Sequence, residues 1–217
     1  MHRLRFLMFL VPFALSFSAA GGAGRMRVAI VIDDGPVPAQ NAQMLAVLSE
    51  AGAHVSFSVE GRFVKEHPDL ARNIVAGGHE LNNHSYTHPH MKTLSDDAVA
   101  KELRDTQETV KKAVGKAPVW FWPPFLETDD RVDALAAKAG LKTYPWTKFN
   151  FISSEDWDSA STDEIVYSRA TTGIKDKTVI LMHEWPEHSL RQLPRILAEL
   201  KRQGAEFVTF SQLAAGG

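Results

Sequence analysis

Val28-Ala29-Ile30-Val31-Ile32 runs without a break into Asp33-Asp34-Gly35-Pro36. The five apolar residues, four of them β-branched, show no polar alternation. The stretch therefore reads as a strand covered on both faces, as in a parallel sheet flanked by helices. The polar cluster at its carboxyl end has counterparts further along. His84-Ser85-Tyr86-Thr87-His88 follows the short run His79–Leu81, and Pro123-Pro124-Phe125 follows Val119–Trp122. Asp156-Trp157 lies past Leu141–Trp146, and His183-Glu184-Trp185 follows Val179–Met182. Val55–Val59 and Phe207–Phe210 are two further runs. In a barrel the carboxyl ends of many strands converge on one mouth, whereas an open doubly wound sheet gathers fewer near its switch point. Polar clusters at so many strand ends predict an α/β barrel of about seven strands. No glycine-rich dinucleotide fingerprint follows Ile32, so nucleotide binding at the first turn lacks support.

Amphipathic helical patterns separate the runs. Met44, Leu45 and Leu48 share one face, as do Leu70, Ile74 and Val75, and later Leu190, Leu193, Ile196, Leu197 and Leu200. Ser95 opens a long helix with Asp96 and Asp97 in its first turn, where acids suit the helix dipole. Gly52, Gly77, Gly115, Gly140, Gly173 and Gly204 stand where left-handed caps are wanted. This is one domain, residues 25–217, with no linker and no repeat.

The chain has 217 residues, 44% hydrophobic and 23% charged, which excludes a disordered or fibrous protein and is enough for a full core. It has no cysteine, so disulfides, zinc ribbons, iron–sulfur clusters and thiol catalysis are excluded. Any metal must rest on histidines and carboxylates. Residues 1–20 read as a cleaved signal peptide: a basic start, an apolar run from Phe6 to Phe17 broken by Pro12, and Ser18-Ala19-Ala20. The alternative, an uncleaved anchor, needs about twenty apolar residues to span a bilayer. Cleavage removes two arginines and no acids from a chain of net charge −2. A mildly acidic exported domain, periplasmic or secreted, is a poor candidate for nucleic-acid binding, and no stable membrane partner is expected once the signal is gone.

The clusters suggest chemistry. Neighbouring residues of an extended chain point to opposite sides, so of Asp33 and Asp34 one can bind a cation while the other accepts a proton; the alternative is a helix N-cap. If their segment is helical, His84 and His88 lie on one face within reach of one ion; the alternative is a pair of surface histidines. Asp34 offers a third ligand. Two imidazoles and a carboxylate leave an open position, suiting a catalytic zinc or another divalent first-row ion. His183 can donate a proton to a leaving group or be a satisfied core histidine. Asp156 can orient it or be a loop acid. Trp122, Phe125, Trp146, Trp157 and Trp185 lie near the expected mouth, as sugar-stacking faces or as core.

In this order, and with Gly78-His79-Glu80 ahead of the histidine pair and Leu181-Met182-His183 near the end, the motifs resemble the polysaccharide deacetylase family, the NodB-homology domain of carbohydrate esterase family 4. The resemblance covers residues 27–213. It implies a distorted (β/α) barrel of parallel strands and a metal-dependent amide hydrolase acting on N-acetylated sugars. It implies Asp33 as general base, Asp34, His84 and His88 as ligands of one divalent ion, zinc first with cobalt, nickel or manganese as alternatives, His183 as general acid and Asp156 as its orienter. It places the Phe125 N–H at the oxyanion; of the aromatics near the mouth, Phe125, Trp122 and Trp157 are expected at the substrate. Trp122 stands where the family has an arginine that steadies the base, Phe125 where it has tyrosine, and Leu126 where it has glycine; Lys148–Glu155 departs from the fourth motif. The expected partner is an N-acetylated glycan. The competing readings are a deacylase of O-acetyl esters or of a small N-acyl compound, and a metal-holding, carbohydrate-binding pseudoenzyme.

Overall fold

β1 (Met26–Gly35) is the axis around which the protein is built in the computed structural model, which describes residues 26–216. The expected signal peptide lies outside the described residues. The chain continues through α1 (Asn41–Glu50), β2 (Ser56–Val59), α2 (Gly61–Glu66), α3 (Pro68–Ala76), β3 (Glu80–Asn83) and α4 (Asp96–Val114). Then come β4 (Trp120–Phe121), α5 (Asp130–Lys138), β5 (Lys142–Thr143), β6 (Asn150–Ser153), α6 (Asp163–Thr171), β7 (Thr178–His183), α7 (Glu187–Arg202), β8 (Ala205–Phe207) and α8 (Phe210–Ala215). The long helix begins at Ser95, whose hydroxyl accepts from the Ala98 N–H, and ends at Gly115 with φ +80°. One expected cap shifts by a residue: Gly77 is right-handed and Gly78 takes the positive φ.

Every strand pair among the described residues is parallel, in the order β5-β4-β3-β2-β1-β7-β6, with β8 joined to the start of β1. The sheet curls into a half-barrel, the distorted (β/α) architecture that the sequence implies. β5 and β6 share no pairing. Aromatic rings fill that side instead: Tyr144 lies 6.0 Å from Phe149, and Trp146 lies 5.5 Å from Phe151. β6 is the strand that sequence reading passes over. It is short, only partly buried and opens with Asn150, so it lacks an apolar run. It, rather than the Leu141–Trp146 run, delivers Asp156.

The period-2 geometry of β1 divides the core. Val28, Ile30 and Ile32 face outward onto a cluster with Met44, Leu48, Leu193 and Ile196 from the helices. Ala29 and Val31 face inward onto Trp122, Tyr144, Val179, Leu181 and Phe210. Continuing the inward parity by two residues reaches Asp33, and on β7 the same parity carries Val179 and Leu181 on to His183. Asp33 and His183 are register partners across β1 and β7.

Trp122, expected at the substrate, is instead the largest wholly buried side chain, its ring 4.3 Å from Tyr144 and 5.3 Å from Trp146. Where the resemblance implies an arginine, this chain has hydrophobic core. Trp122→Ala is expected to lower the unfolding free energy by about 3–5 kcal/mol, as for other large-to-small changes in a packed core; urea denaturation followed by circular dichroism measures it.

Candidate active site

Asp33 and Asp34 both face one cavity of about 540 Å³ at the carboxyl ends of the strands. Opposite pleat faces do not separate them, contrary to the sequence expectation. Asp34 adopts φ +66°, and the β1–β2 register shifts between Asp33 and Gly35, so the chain turns the second carboxylate back to the same side. Gly35 follows because a side chain there would run into the carboxyl of Glu184.

Asp34, His84 and His88 offer ligand atoms that lie within 4.8 Å of one another. Asp34 Oδ1 is 3.2 Å from His84 Nε2 and 3.3 Å from His88 Nε2. The histidines come together on a loop and not on a helical turn. Ser85 and His88 both take positive φ, and the two rings sit 4.9 Å apart. The loop is tied down from outside: Asn83 Oδ1 accepts the Ser85 N–H, and Ser85 Oγ accepts the His88 N–H. Glu102 on α4 accepts the Tyr86 N–H at 2.7 Å, the Thr87 N–H at 2.8 Å and the Thr87 hydroxyl at 2.8 Å. Nothing in the sequence marks Glu102, since a glutamate beside the buried stripe of a helix is an ordinary surface choice.

The site fits a divalent cation. Asp34 Oδ1 is buried and has no hydrogen-bond partner, and the donor set is two nitrogens and one oxygen. The His84 Nδ1–H donates to the Trp122 carbonyl at 2.6 Å, which turns Nε2 toward Asp34. Burial opposes charge on His84, yet the Asp33 and Asp34 carboxylates outweigh it and push the imidazole up to about 9. On Asp34, burial is likewise outweighed, by the His84 imidazole close beside it, and the carboxyl falls well below its usual range. Burial and the charge of His84 hold His88 down to about 4.

On the other side of Asp33 stands His183. Asp156, almost wholly buried, accepts the His183 Nδ1–H at 2.7 Å and the His183 backbone N–H at 2.7 Å. Ser189 donates to the same carboxylate, and His188 donates to the Asp156 carbonyl. Burial disfavours charge on His183, but its hydrogen bond and ion pairing with Asp156 prevail and raise it overall. Burial pushes Asp33 up to about 6 against the charges of His84 and His183. Phe125 and Trp157 line the cavity with Leu126, Leu181 and Trp185. Phe125 and Leu126 take φ +56° and +57°, and the turn's own bonds, Leu126 N–H to Pro123 and Glu127 N–H to Pro124, leave the Phe125 N–H out. Trp122 lies outside the cavity; its carbonyl, not its ring, serves the site.

Two outcomes are expected. Glu102→Ala frees three loop donors and weakens Co²⁺ or Zn²⁺ binding about 10–100-fold by titration calorimetry, as loss of such outer partners does. Glu184 is wholly buried and pushed up by that burial to about 7, against the Asn41 amide that donates to it at 2.7 Å. It stays protonated in the fold while the unfolded chain ionises near its usual 4.5, so its contribution is intact at low pH and is lost as pH rises through about 7. Between pH 5 and 8 the parent should therefore lose roughly 2 kcal/mol more than Glu184→Gln in urea unfolding.

The family model described as polysaccharide deacetylase matches residues 20–144. A peptidoglycan-N-acetylglucosamine deacetylase of Bacillus cereus is 31% identical over 189 residues, covering 86% of this chain and 87% of that protein. The chain spans only 38% of the peptidoglycan-N-acetylglucosamine deacetylase PgdA of Listeria monocytogenes, at 29% identity over 86% of its own length. Among solved structures, the family 4 carbohydrate esterase of Streptomyces lividans in complex with acetate superposes with a TM-score of 0.76 at 30% identity, over 83% of this chain and 91% of that one. A family 4 pseudoenzyme of Bacillus anthracis gives 0.79 at 28% identity, over 87% and 65%.

Proposed function

The chain belongs to the polysaccharide deacetylase family, and we propose that it hydrolyses the N-acetyl amide of amino sugars in an exported glycan, using Asp34, His84 and His88 to hold one divalent ion. The observation that carries this reading is the placement of those three groups beside Asp33 and His183, which are themselves partners across adjacent strands. Zinc is the ion assigned, because imidazole nitrogen and carboxylate oxygen suit it and leave a position open; cobalt, nickel and manganese are the alternatives. Such an ion polarises a carbonyl and lowers the pKa of water at the site.

The chain's own residues do the rest. Asp33, buried and raised toward neutrality, takes a proton from the water that forms the new C–O bond. The Phe125 N–H, on its left-handed turn, donates to the oxygen that gains charge. Asp156 fixes His183 Nδ1 as a donor and favours the imidazolium, whose second proton, on Nε2, goes to the nitrogen as the C–N bond breaks. Acetate and a free amino sugar leave. The exposed faces of Trp157 and Phe125 form a platform for the sugar. The name of the Bacillus cereus relative and residues 1–20, read as a signal peptide, support export and a cell-wall glycan as substrate. The family also contains a pseudoenzyme, and the missing arginine keeps a binding-only reading open to the same test.

Purified protein with zinc or cobalt should release acetate from peptidoglycan or N-acetylglucosamine oligomers. Asp33→Asn should reduce the rate about 10²–10⁴-fold. Release from acetylated xylan alone would reassign the reaction to O-acetyl esters. Glycan binding with no acetate released, unchanged in Asp33→Asn, would leave a binding protein.

A further inference from the structure

Trp185 is 46% exposed, one of the few large apolar side chains in the described residues that water reaches, and its ring lines the active cavity. It is nevertheless fastened at both ends. Its indole Nε1–H donates to Asp34 Oδ2 at 2.9 Å, and its carbonyl accepts from Gln40 Nε2 at 2.6 Å. The residue before it is tied to the same side: the Glu184 N–H donates to the Asp33 carbonyl at 3.0 Å, and Glu184 Oε1 accepts from Asn41. The segment that follows β7 is thus laced to the turn that follows β1 by backbone and side chain together.

We infer that Trp185 is a positioning residue for the ion ligand Asp34. With Oδ2 engaged by the indole, Oδ1 is the oxygen left facing His84 and His88, at 3.2 and 3.3 Å. The indole thereby fixes a carboxylate borne on a left-handed residue as a ligand through one oxygen, and stops it from rotating both oxygens toward the ion. Because the same ring forms part of the cavity lining, substrate that packs against Trp185 also bears on the geometry of the ion site. Among the described residues no backbone group or charged side chain has a hydrogen bond to Oδ2, so the indole N–H is the group that holds it. The inference rests on the proposed ion site.

The test is Zn²⁺ titration into the ion-free full chain by calorimetry, for the parent, Trp185→Phe and Trp185→Ala, with the visible spectrum of the Co²⁺ forms and the melting temperature of each ion-free protein. Trp185→Phe keeps an aromatic ring and removes the donor. It should bind Zn²⁺ about 10–100-fold more weakly, the usual effect of losing a group that orients a ligand. Its Co²⁺ spectrum should differ from the parent's, while its ion-free melting temperature is unchanged. Trp185→Ala should match Trp185→Phe in ion affinity and additionally raise KM for the glycan. A Trp185→Phe protein that binds Zn²⁺ as tightly as the parent, with the same Co²⁺ spectrum, overturns the inference. A weaker affinity that comes only with a lowered ion-free melting temperature also overturns it, as a merely structural effect. A parent that binds no ion defeats the ion site itself, a separate failure recognised before any variant is compared.

Discussion

The left-handed backbone at Asp34 is the constraint on which the site depends. A regular strand would send Asp33 into the barrel and Asp34 out toward the helices, where an unpaired carboxylate among Ile32, Met44 and Leu48 would be costly. Turning the chain at that residue recovers the second carboxylate for the cavity. A non-glycine residue in this region is disfavoured on its own and persists only where its surroundings fix it. Here they do: Glu184 fills the space against Gly35, and its N–H holds the Asp33 carbonyl. The strain and the ion ligand belong to one arrangement.

A second tier of groups turns a loop into a ligand. His84 lies at the end of a strand and would be positioned by β3 alone, but His88 is four residues further on in irregular backbone. Three bonds to the single carboxylate of Glu102 and two to Asn83 and Ser85 do for this loop what ladder bonds do for a strand. The same logic serves His183, where Asp156 takes both the ring and the backbone N–H and is itself held through Ser189 and His188. Two of the three imidazoles that line the cavity are oriented from behind by a group that can only accept at that position: a carbonyl for His84, a carboxylate for His183.

Much of this was legible before the fold. The apolar run of β1, its polar end, the paired histidines and His183 each stand out because they break a pattern: a charge after five buried residues, or two imidazoles close in sequence. The parallel strands and helix starts followed from periodicity and from Ser95. What escaped reading was what periodicity does not encode. β6 is too short and too polar at its start to register as a run, so Asp156 was attached to the wrong strand. Glu102 looks like any solvated helix residue until the loop folds over it. Trp185 and Trp122 are both tryptophans next to a motif, and composition cannot say that one faces the cavity while the other is buried behind it.

The tryptophan at position 122 also bears on how the base is held. The family resemblance places a cation there, paired with Asp33. In this chain Asp33 Oδ1 has no hydrogen-bond partner, and the charges nearest in effect are His84 and His183. A buried guanidinium needs its counter-charge beside it, and Trp122 removes that requirement while filling the barrel with Tyr144, Trp146 and Phe210. The consequence is that the ionisation of Asp33, the proposed base, leans on the two imidazoles and not on a permanent cation. Burial raises Asp33 into the range where a general base is most effective near neutral pH, and no arginine draws it down again. Relative to the pattern that the resemblance implies, this chain has an apolar ring packed in the barrel where a cation would restrain Asp33.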